Sequence, residues 1–443
     1  MGLTCIFEAV RVQAGPVKLN ISDAFFLLLL FSMLLSGYRG RIQIEEPNVA
    51  RITRRFFIIL LFCLNFISPI IDEFLFPSGI DGITPSIAYS VKTVVNILFF
   101  LLLLSLEGED KNDFLSFFCK GFLCGIAIHI IYSIIQLAEW YLFGVDIHTP
   151  LMASFGITEE FLGGHPVLNY VVPPLVIRAA GFFWDPYFIG IMGCVAIFVS
   201  LTIRNVFLRN VSLITSFIVF VLSFSRTGYV ALIATILLIP FISRYSTSFK
   251  ERINSGKILK YSLVVFFVVT LSLPFVLDRN SREELSQGLK YKAEIKVDDE
   301  GDMRHLMYPV YSIKAVFHDP YHLLLGYGAR NSSRGLYVSG NIPNEMNSAV
   351  SYDIESDWCK FLIDYGIVCF VVYLLFNISL IRALIRQGNF EESYVPLFLL
   401  ITVLATFISG FFYTINDSRW VWLIYGAAIV YLNTDNEKQG DIC

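Results

Sequence analysis

The stretch VLSFSRTGYVALIA, residues 221–234, places a Ser-Arg-Thr-Gly turn inside a run that is otherwise apolar. An arginine is costly in hydrocarbon, so the side of the membrane that it faces decides the local fold. If residues 209–243 formed one helix, the flanking basic residues Arg209 and Arg244 would lie on opposite sides of a membrane. Two short spans joined at 225–227 keep them on one side. The stretch therefore predicts a tight helical hairpin with Arg226 at its outward end.

The composition is that of a membrane protein. The chain has 443 residues, of which 56% are hydrophobic and 16% charged, and its mean hydropathy is +0.65. A soluble domain usually carries about 25% charged residues. The net charge of −4 gives no reason to expect a nucleic-acid partner. The eight cysteines form no CxxC pair and the six histidines no HExxH motif, so we expect no disulfide framework, metal or cofactor.

Apolar runs near the roughly 20 residues that cross a bilayer core predict an all-α polytopic membrane protein. We expect about eleven transmembrane helices, within a range of ten to twelve. The first run ends in LLSGYRGR without a small-residue cleavage site, so we expect it to remain as a span. The predicted spans are 20–37, 56–74, 85–106, 114–140, 184–203, 209–224, 228–243, 258–277, 357–381, 394–413 and 419–432.

Loop charge gives the orientation. Loop 38–55 holds five arginines, whereas loops 75–84 and 414–418 hold no Lys or Arg. Basic residues concentrate in short cytoplasmic loops, so the N-terminus is expected outside and the C-terminus inside. The chain then has three parts. Spans one to eight occupy 1–277 and include the outward segment 144–183, a large outward loop occupies 278–355, and the last three spans with a short cytoplasmic tail occupy 356–443.

The large outward loop is expected to contain short helices. One is predicted near 303–317, with Pro309 limiting it. A glycine-rich turn region, LLLGYGARNSSRG, follows at 323–335. The apolar residues expected on one face of the predicted helix are Leu306, Val310, Ile313 and Phe317.

Arg226 has two interpretations. It is either an interfacial arginine, with Thr227 and Gly228 making the turn, or part of an anion site. The second interpretation rests on the guanidinium group, which stays charged at working pH and binds phosphate through two parallel hydrogen bonds.

Arg178 lies in VIRAAGFFWDPYFIG, residues 176–190. Asp185 and Pro186 have a structural explanation there as a helix N-cap and first helical residue. Arg178 has no such explanation, and both a surface ion pair and a ligand contact stay open. Arg304, taken alone, is expected in a solvated salt bridge, and His305 beside it is a minor candidate for binding phosphate.

The segment YDIESDWCKFLIDYG, residues 352–366, opens the ninth span. Glu355 and Asp357 fit a helix start, where acidic residues complement the helix dipole and Ser356 can act as the cap. The alternative is a general base, because a carboxylate in a partly dry site can take a proton from a sugar hydroxyl.

Together these motifs resemble a known superfamily. RAAGFFWDPYFIG leads into a span, SRTG lies in a short outward hairpin, and the large loop runs from Arg304 through a DP…GYG turn to ESDWCKFLIDYGIVCFVVYLLF at 355–376. This order resembles the O-antigen polymerases (Wzy-type) and O-antigen ligases, bacterial plasma-membrane enzymes that act on undecaprenyl-diphosphate-linked sugars. The resemblance covers roughly 178–381.

The resemblance implies roles for individual residues. Arg178 and Arg304 match the two arginines that the family uses near the lipid diphosphate, and Arg226 matches the arginine of the Ser-Arg-Thr-Gly motif. Glu355 and Ser356 stand where the ligases usually have a histidine-containing pair. This departure favours a polymerase, with Glu355 chosen over Asp357 as the base.

The implied reaction is a metal-independent glycosyl transfer in polysaccharide biosynthesis, on the outer face of the bacterial inner membrane. Asp357 and His305 are expected near the diphosphate or sugar, and outward tyrosines, including Tyr308 and Tyr327, are expected to stack on sugar faces. The implied partners are lipid-linked repeat units, membrane lipid, a chain-length regulator and a flippase. The alternatives are a ligase that joins polymer to lipid A-core and a transporter of lipid-linked oligosaccharide.

Overall fold

The computed structural model describes residues 11–14, 17–20, 64, 67–71, 74, 86, 109–154, 170–171, 176–182, 186–201, 203, 205–245, 300–318, 320–329, 331–339, 354, 356–388, 394–411 and 419–440. The chain divides into two compact units. Unit one comprises Met1–Gly40, Gly108–Ile295 and Gly388–Ala405. Unit two comprises Arg41–Glu107, Lys296–Gln387 and Thr406–Cys443.

The described residues form helices and two antiparallel pairs of short strands, β1 with β2 and β3 with β4. In chain order the elements are β1 (Arg11–Ala14), β2 (Val17–Asn20), α1 (Glu109–Phe143), α2 (His148–Ser154), β3 (Tyr170–Val171), β4 (Val176–Ile177), α3 (Pro186–Ser200), α4 (Val206–Leu222), α5 (Arg226–Tyr245), α6 (Glu300–Val316), α7 (Pro320–Leu325), α8 (Ser332–Val338), α9 (Asp357–Gln387), α10 (Val395–Ser409) and α11 (Arg419–Gly440).

The predicted helical class is confirmed, but the predicted count of eleven spans is not. Among the described residues, two helical segments are long and apolar enough to cross a membrane, Phe114–Phe143 and Asp357–Gln387. Helices α3, α4, α5, α10 and α11 coincide with predicted spans and contain shorter apolar segments. The other four predicted spans, 20–37, 56–74, 85–106 and 258–277, lie wholly or mostly outside the described residues.

In unit one, α3 packs against α4 and α5 through small residues. A β-carbon on Gly193 would lie 3.1 Å from Cβ of Phe220 on α4, and one on Gly228 would lie 3.0 Å from the backbone of Gly190. Small residues allow helix backbones to approach closely where lipid supplies no hydrophobic drive between helices. The glycine of SRTG therefore has a packing role against α3.

The predicted hairpin is confirmed, with its turn placed two residues earlier than expected. Helix α4 ends at Leu222 and α5 begins at Arg226. The connection is therefore 223–225, and Thr227 and Gly228 lie in the first turn of α5. The helices have 17 and 20 residues, so they are about 25 and 30 Å long at 1.5 Å per residue.

In unit two, helix α9 is broken. Gly366 has φ 73° and ψ 178°, which interrupts the helix nine residues after its start. The break leaves the preceding carbonyls in need of other donors. The N–H of Tyr327 donates to the carbonyl of Ile363 at 2.9 Å, and that of Gly328 donates to the carbonyl of Asp364 at 2.9 Å. The loop between α7 and α8 thus pairs with the broken helix.

Three glycines make this pairing possible. Gly326, Gly328 and Gly366 all have positive φ, which favours glycine strongly. None of them has room for a side chain. A β-carbon on Gly366 would overlap the backbone of Leu324 and Leu325, and one on Gly328 would lie 2.9 Å from Pro69. The GYG and DYG motifs are therefore two halves of one close backbone contact.

The helix predicted at 303–317 is confirmed as α6, Glu300–Val316. Pro309 does not limit it, because the proline lies inside the helix. Of the four residues expected to share an apolar face, Val310, Ile313 and Phe317 are exposed. The face that packs inward instead carries Tyr308, Ser312, Ala315 and Val316.

Replacing Gly366 by alanine should destabilise the protein strongly, because positive φ and steric overlap act together. Gly144 is a matched control, since its φ is +63° and nothing lies within 4 Å of its β-carbon position. We expect Gly144→Ala to cost about 1–2 kcal/mol from φ alone and Gly366→Ala to cost more. Thermal unfolding of the purified variants measures both. Equal losses would contradict the close contact at Gly366.

Candidate functional site

The α4–α5 turn is built around Ser225. Its Oγ accepts a hydrogen bond from the N–H of Gly228 at 3.1 Å, which makes Ser225 the N-cap of α5 and Arg226 its first residue. Phe224 has φ 49°, a left-handed conformation that is unusual for a bulky residue. Ser223, Phe224 and Ser225 are all buried. The turn is therefore covered by protein, and its backbone is strained at Phe224.

Arg178 binds the backbone of the same turn. Its Nε donates to the carbonyl of Ser223 at 2.9 Å, and its Nη2 lies 3.5 Å from the carbonyl of Phe224. The N–H of Ala179 donates to the carbonyl of Leu222 at 2.8 Å. These donors satisfy carbonyls at the end of α4 that have no partner within the helix. Arg178 thus has the structural explanation that the sequence did not reveal.

The other side of the Arg178 segment lies against a polar stripe on α1. The N–H of Ala180 donates to Oε1 of Gln136 at 3.2 Å, and the N–H of Phe182 donates to Nδ1 of His129 at 3.2 Å. A β-carbon on Gly181 would meet the same Nδ1 at 3.0 Å. The segment is therefore held between α1 and the α4–α5 turn, and its backbone has little freedom to move.

His148, at the start of α2, is held beside the same segment. Tyr132 stacks on Phe182 with ring centroids 3.9 Å apart, and its hydroxyl lies 2.8 Å from Nδ1 of His148. Burial of His148 lowers its pKa from 6.5 to about 4, and the nearby charge of Asp146 opposes this shift only partly. The imidazole is therefore neutral near pH 7.

Unit one thus brings Arg178 and Arg226 to one turn, as their shared assignment to a diphosphate site requires. The side chain of Arg226 lies outside the described residues, while its backbone begins α5. Arginine stays charged at working pH and binds phosphate oxygens, so two arginines whose chain positions meet at this turn fit a site for an anion. The Nε and Nη2 groups of Arg178 contact the carbonyls of the turn, and its positive charge is the feature that would attract an anion.

In unit two, Ser356 is confirmed as the cap of α9. Its Oγ accepts from the N–H of Cys359 at 3.3 Å and donates to the carbonyl of Phe411 at 2.7 Å. The N–H of Trp358 donates to the carbonyl of Gly410 at 3.2 Å. The start of α9 is thereby fixed to residues 410–411. Glu355 lies outside the described residues, between the buried residues Ile354 and Ser356.

Asp357 is buried in the first turn of α9, within 3.2 Å of the position that a β-carbon on Gly410 would occupy. This place agrees with an acidic residue at a helix start. Arg304 and His305 lie on α6, and their side chains are outside the described residues.

The two tyrosines expected at the sugar are buried. Tyr327 stacks on His322 with ring centroids 3.7 Å apart, and its hydroxyl donates to the carbonyl of Ala315 at 3.1 Å. Tyr308 belongs to the same hydrophobic core as Leu362 and Ile363. Both rings stabilise the packing of α6 and the GYG loop against α9, so we assign them to the core rather than to a sugar-stacking surface.

Sequence reasoning missed a set of buried charged residues in unit two. Lys360 and Asp364 lie on the first segment of α9 and Arg334 lies on α8, and all three are buried. Lys360 and Asp364 are four residues apart inside a predicted span. That spacing is the signal that could have identified them, because ionisable residues in spans are costly and usually functional or paired.

Within the ranges that the structure describes, no group of three or more His, Cys, Asp or Glu side chains is placed to hold a metal ion. The charged side chain placed at the α4–α5 turn is the guanidinium group of Arg178, which donates hydrogen bonds and has no lone pair with which to coordinate a metal cation.

The pKa of His148 predicts a loss of stability in mild acid. The unfolded chain binds more protons than the folded protein between pH 6.5 and about 4, so the free energy of unfolding falls as the pH drops through this range. From pH 7 to pH 5 we expect a loss of about 2 kcal/mol from this residue. The variant His148→Gln cannot titrate and should lose less stability over the same interval. The measurement is the free energy of unfolding of each protein at pH 7 and at pH 5. An equal loss in wild type and His148→Gln would contradict the assignment.

The chain was compared with known proteins. No curated protein matches it. Residues 211–374 match the family model described as O-antigen ligase. The matched segment contains the α4–α5 turn, α6, the GYG loop and the broken first part of α9, whereas Arg178 lies outside it. The segment that carries Arg226, Arg304 and Glu355 is therefore similar to the O-antigen ligase family, which confirms the resemblance found in the sequence.

Proposed function

We propose that the protein is a glycosyltransferase that polymerises lipid-linked repeat units at the bacterial plasma membrane. It transfers a growing glycan from undecaprenyl diphosphate to the non-reducing end of the next lipid-linked unit. The family match and the apolar helices support a membrane protein of polysaccharide biosynthesis. The finer assignment rests on the arrangement of the site.

The observation that carries the proposal is the joint placement of Arg178 and Arg226 on one buried turn. Arg178 binds the carbonyls of Ser223 and Phe224, and Arg226 follows directly at the start of α5. A diphosphate carries several negative charges, and arginine forks bind phosphate oxygens with defined geometry. The turn is rigid because of its cap, its buried residues and the segment packed against it. A rigid positive site suits a leaving group whose charge grows during the reaction.

The chemical step needs charge neutralisation more than acid catalysis. The hydroxyl oxygen of the acceptor sugar attacks the anomeric carbon of the donor, and the bond from that carbon to the diphosphate oxygen breaks. The electron pair leaves with the diphosphate, and Arg178 and Arg226 stabilise the negative charge that grows there. Attack from the face opposite the leaving group inverts the anomeric configuration.

Glu355 is the proposed base that takes the proton of the acceptor hydroxyl. It directly precedes Ser356, whose side chain both caps α9 and donates to the carbonyl of Phe411. This double anchorage fixes the backbone next to Glu355, as a base needs in order to stay in hydrogen-bond reach of its proton. Asp357 lies buried in the first turn of α9, directly after the cap residue.

The residues at one position of the chain favour a polymerase over a ligase. The ligases usually carry a histidine-containing pair where this chain has Glu355 and Ser356. The matched family is described as O-antigen ligase, so ligation of finished polymer to lipid A-core is the second candidate. In the polymerase, the site faces the periplasmic or extracellular side, and a flippase and a chain-length regulator act in the same pathway.

Polymerisation in proteoliposomes tests the proposal. The purified protein is supplied with lipid-linked repeat units from its native pathway, and the products are resolved on a gel. We expect wild type to give a ladder of lipid-linked chains. Arg226→Ala should lower the rate by about 100-fold, the usual effect of removing one preorganised charge stabiliser. Glu355→Gln should lower it by about 100-fold or more, and Glu355→Asp should retain part of the activity.

Arg209→Ala is the matched control. Arg209 lies near the opposite end of α4, about 20 Å from the turn at 1.5 Å per residue, so its loss should leave the ladder unchanged. A single transfer to lipid A-core without a ladder would favour the ligase. Movement of label between leaflets without any new glycosidic bond would exclude the enzyme and leave a transporter.

A further inference from the structure

Helix α6 carries a set of apolar residues that are exposed in the structure. Val310, Ile313 and Phe317 follow at helical spacing, and Phe317, directly after the helix, is 64% exposed. The opposite side of α6 packs against the first segment of α9 through Tyr308, Ala315 and Val316. The helix therefore has one face in the protein core and a second apolar face turned outward.

The outward face continues onto the neighbouring helix α7. Leu324 on α7 is exposed, and its backbone lies against Gly366, at the break in α9. Val368, two residues beyond the break, is exposed as well. The exposed apolar surface thus runs from α6 across α7 to the point where the second segment of α9 begins.

From this point α9 has the surface of a membrane span. Val368, Val371, Leu375 and Ile378 are exposed at spacings of three and four residues, which makes one apolar stripe along the helix. The apolar part of this segment, 367–381, is about 22 Å long as a helix, and the exposed Arg382 follows it with a long side chain that can reach the far interface. Every residue of 357–366 except the half-buried Trp358 is buried, so the stripe begins directly after the break.

The position of the break in α9 indicates where the outward face of α6 and α7 lies relative to the membrane. Leu324 contacts the chain where the lipid-facing stripe begins, so α7 and the adjoining end of α6 lie at the level of the membrane interface. Lys314, exposed one residue after Ile313, adds a cation at this level. Helices with an apolar face and a flanking cation typically lie in the interface between lipid head groups and acyl chains.

We propose that Val310, Ile313, Phe317 and Leu324 form a lipid-contacting face that holds α6 and α7 in the bilayer interface. The occupant is the bilayer itself, because the face is continuous with the lipid-facing stripe of α9 within the same unit. This contact holds α6, the helix that carries Arg304, at the level of the membrane surface. The proposal depends on the membrane span in α9 and does not depend on the reaction assigned above.

Photocrosslinking of the full chain in phospholipid nanodiscs tests the proposal. p-Benzoylphenylalanine is placed at Phe317, at Leu375 on the α9 stripe as a positive control, and at the buried Tyr308 on the inward face of α6 as a negative control. After irradiation, adducts are identified by mass spectrometry. We expect phospholipid adducts at Phe317 with a yield of the same order as at Leu375, and none at Tyr308.

Phospholipid adducts at Leu375 together with none at Phe317 would overturn the proposal, because the face would then lie in water. Crosslinks from Phe317 to a second polypeptide would also overturn it and would indicate a protein interface. A second measurement separates these outcomes from misfolding. Each variant is compared with wild type by its thermal unfolding temperature, and the native break is verified by unchanged protection of the Tyr327 and Gly328 amides from hydrogen exchange.

Discussion

Helix carbonyls that lose their helical partners are the constraint on which both units depend. In unit two the break at Gly366 opens α9, and the backbone N–H groups of Tyr327 and Gly328 fill the positions that helical donors would take. Within a membrane an unsatisfied backbone group costs several kcal/mol. The glycines of the GYG and DYG motifs are needed because this pairing leaves no room for side chains.

In unit one, a charged side chain donates to helix carbonyls that have lost their helical partners. The end of α4 is closed by the N–H of Ala179 and by the guanidinium group of Arg178. Arg178 therefore has a structural contribution and a proposed chemical one, and the two agree. A guanidinium group that is fixed to two carbonyls keeps its positive charge in one place, as preorganised electrostatic stabilisation requires. The strained Phe224 beside it shows that the surrounding structure, rather than local preference, sets the shape of this turn.

The broken helix also links the core of unit two to the proposed base. Ser356 fixes the start of α9 to residues 410–411, while the GYG loop fixes its break. The short segment between these two anchors holds the buried residues Asp357, Lys360 and Asp364. Discontinuous helices with polar residues at the break are common at the substrate sites of membrane proteins. This segment directly follows Ser356, so the two anchors also fix the backbone next to the proposed base.

Local patterns predicted much of this arrangement. Hydropathy located seven helices that coincide with predicted spans, and the positive-inside bias located the break near 225. The cap at Ser356 and the helix α6 followed from residue types at short spacing. Such local patterns could not predict contacts between segments that are far apart in the sequence. The break at Gly366 was missed because the apolar run continues through it, and the partners of Arg178 were missed because they lie 45 residues away in sequence. The inward face of α6 was misjudged because its exposed face is apolar as well, so hydropathy alone does not distinguish the two faces.

The central claim is that the α4–α5 turn binds a lipid diphosphate through Arg226. The most direct measurement is the dissociation constant of undecaprenyl diphosphate for wild type, Arg226→Ala and the control Arg209→Ala in nanodiscs. A hydrogen bond to a charged group contributes about 1.5–3 kcal/mol, so we expect Arg226→Ala to weaken binding by about 10- to 100-fold. Arg209→Ala should bind like wild type. Equal affinity of all three proteins would contradict the claim.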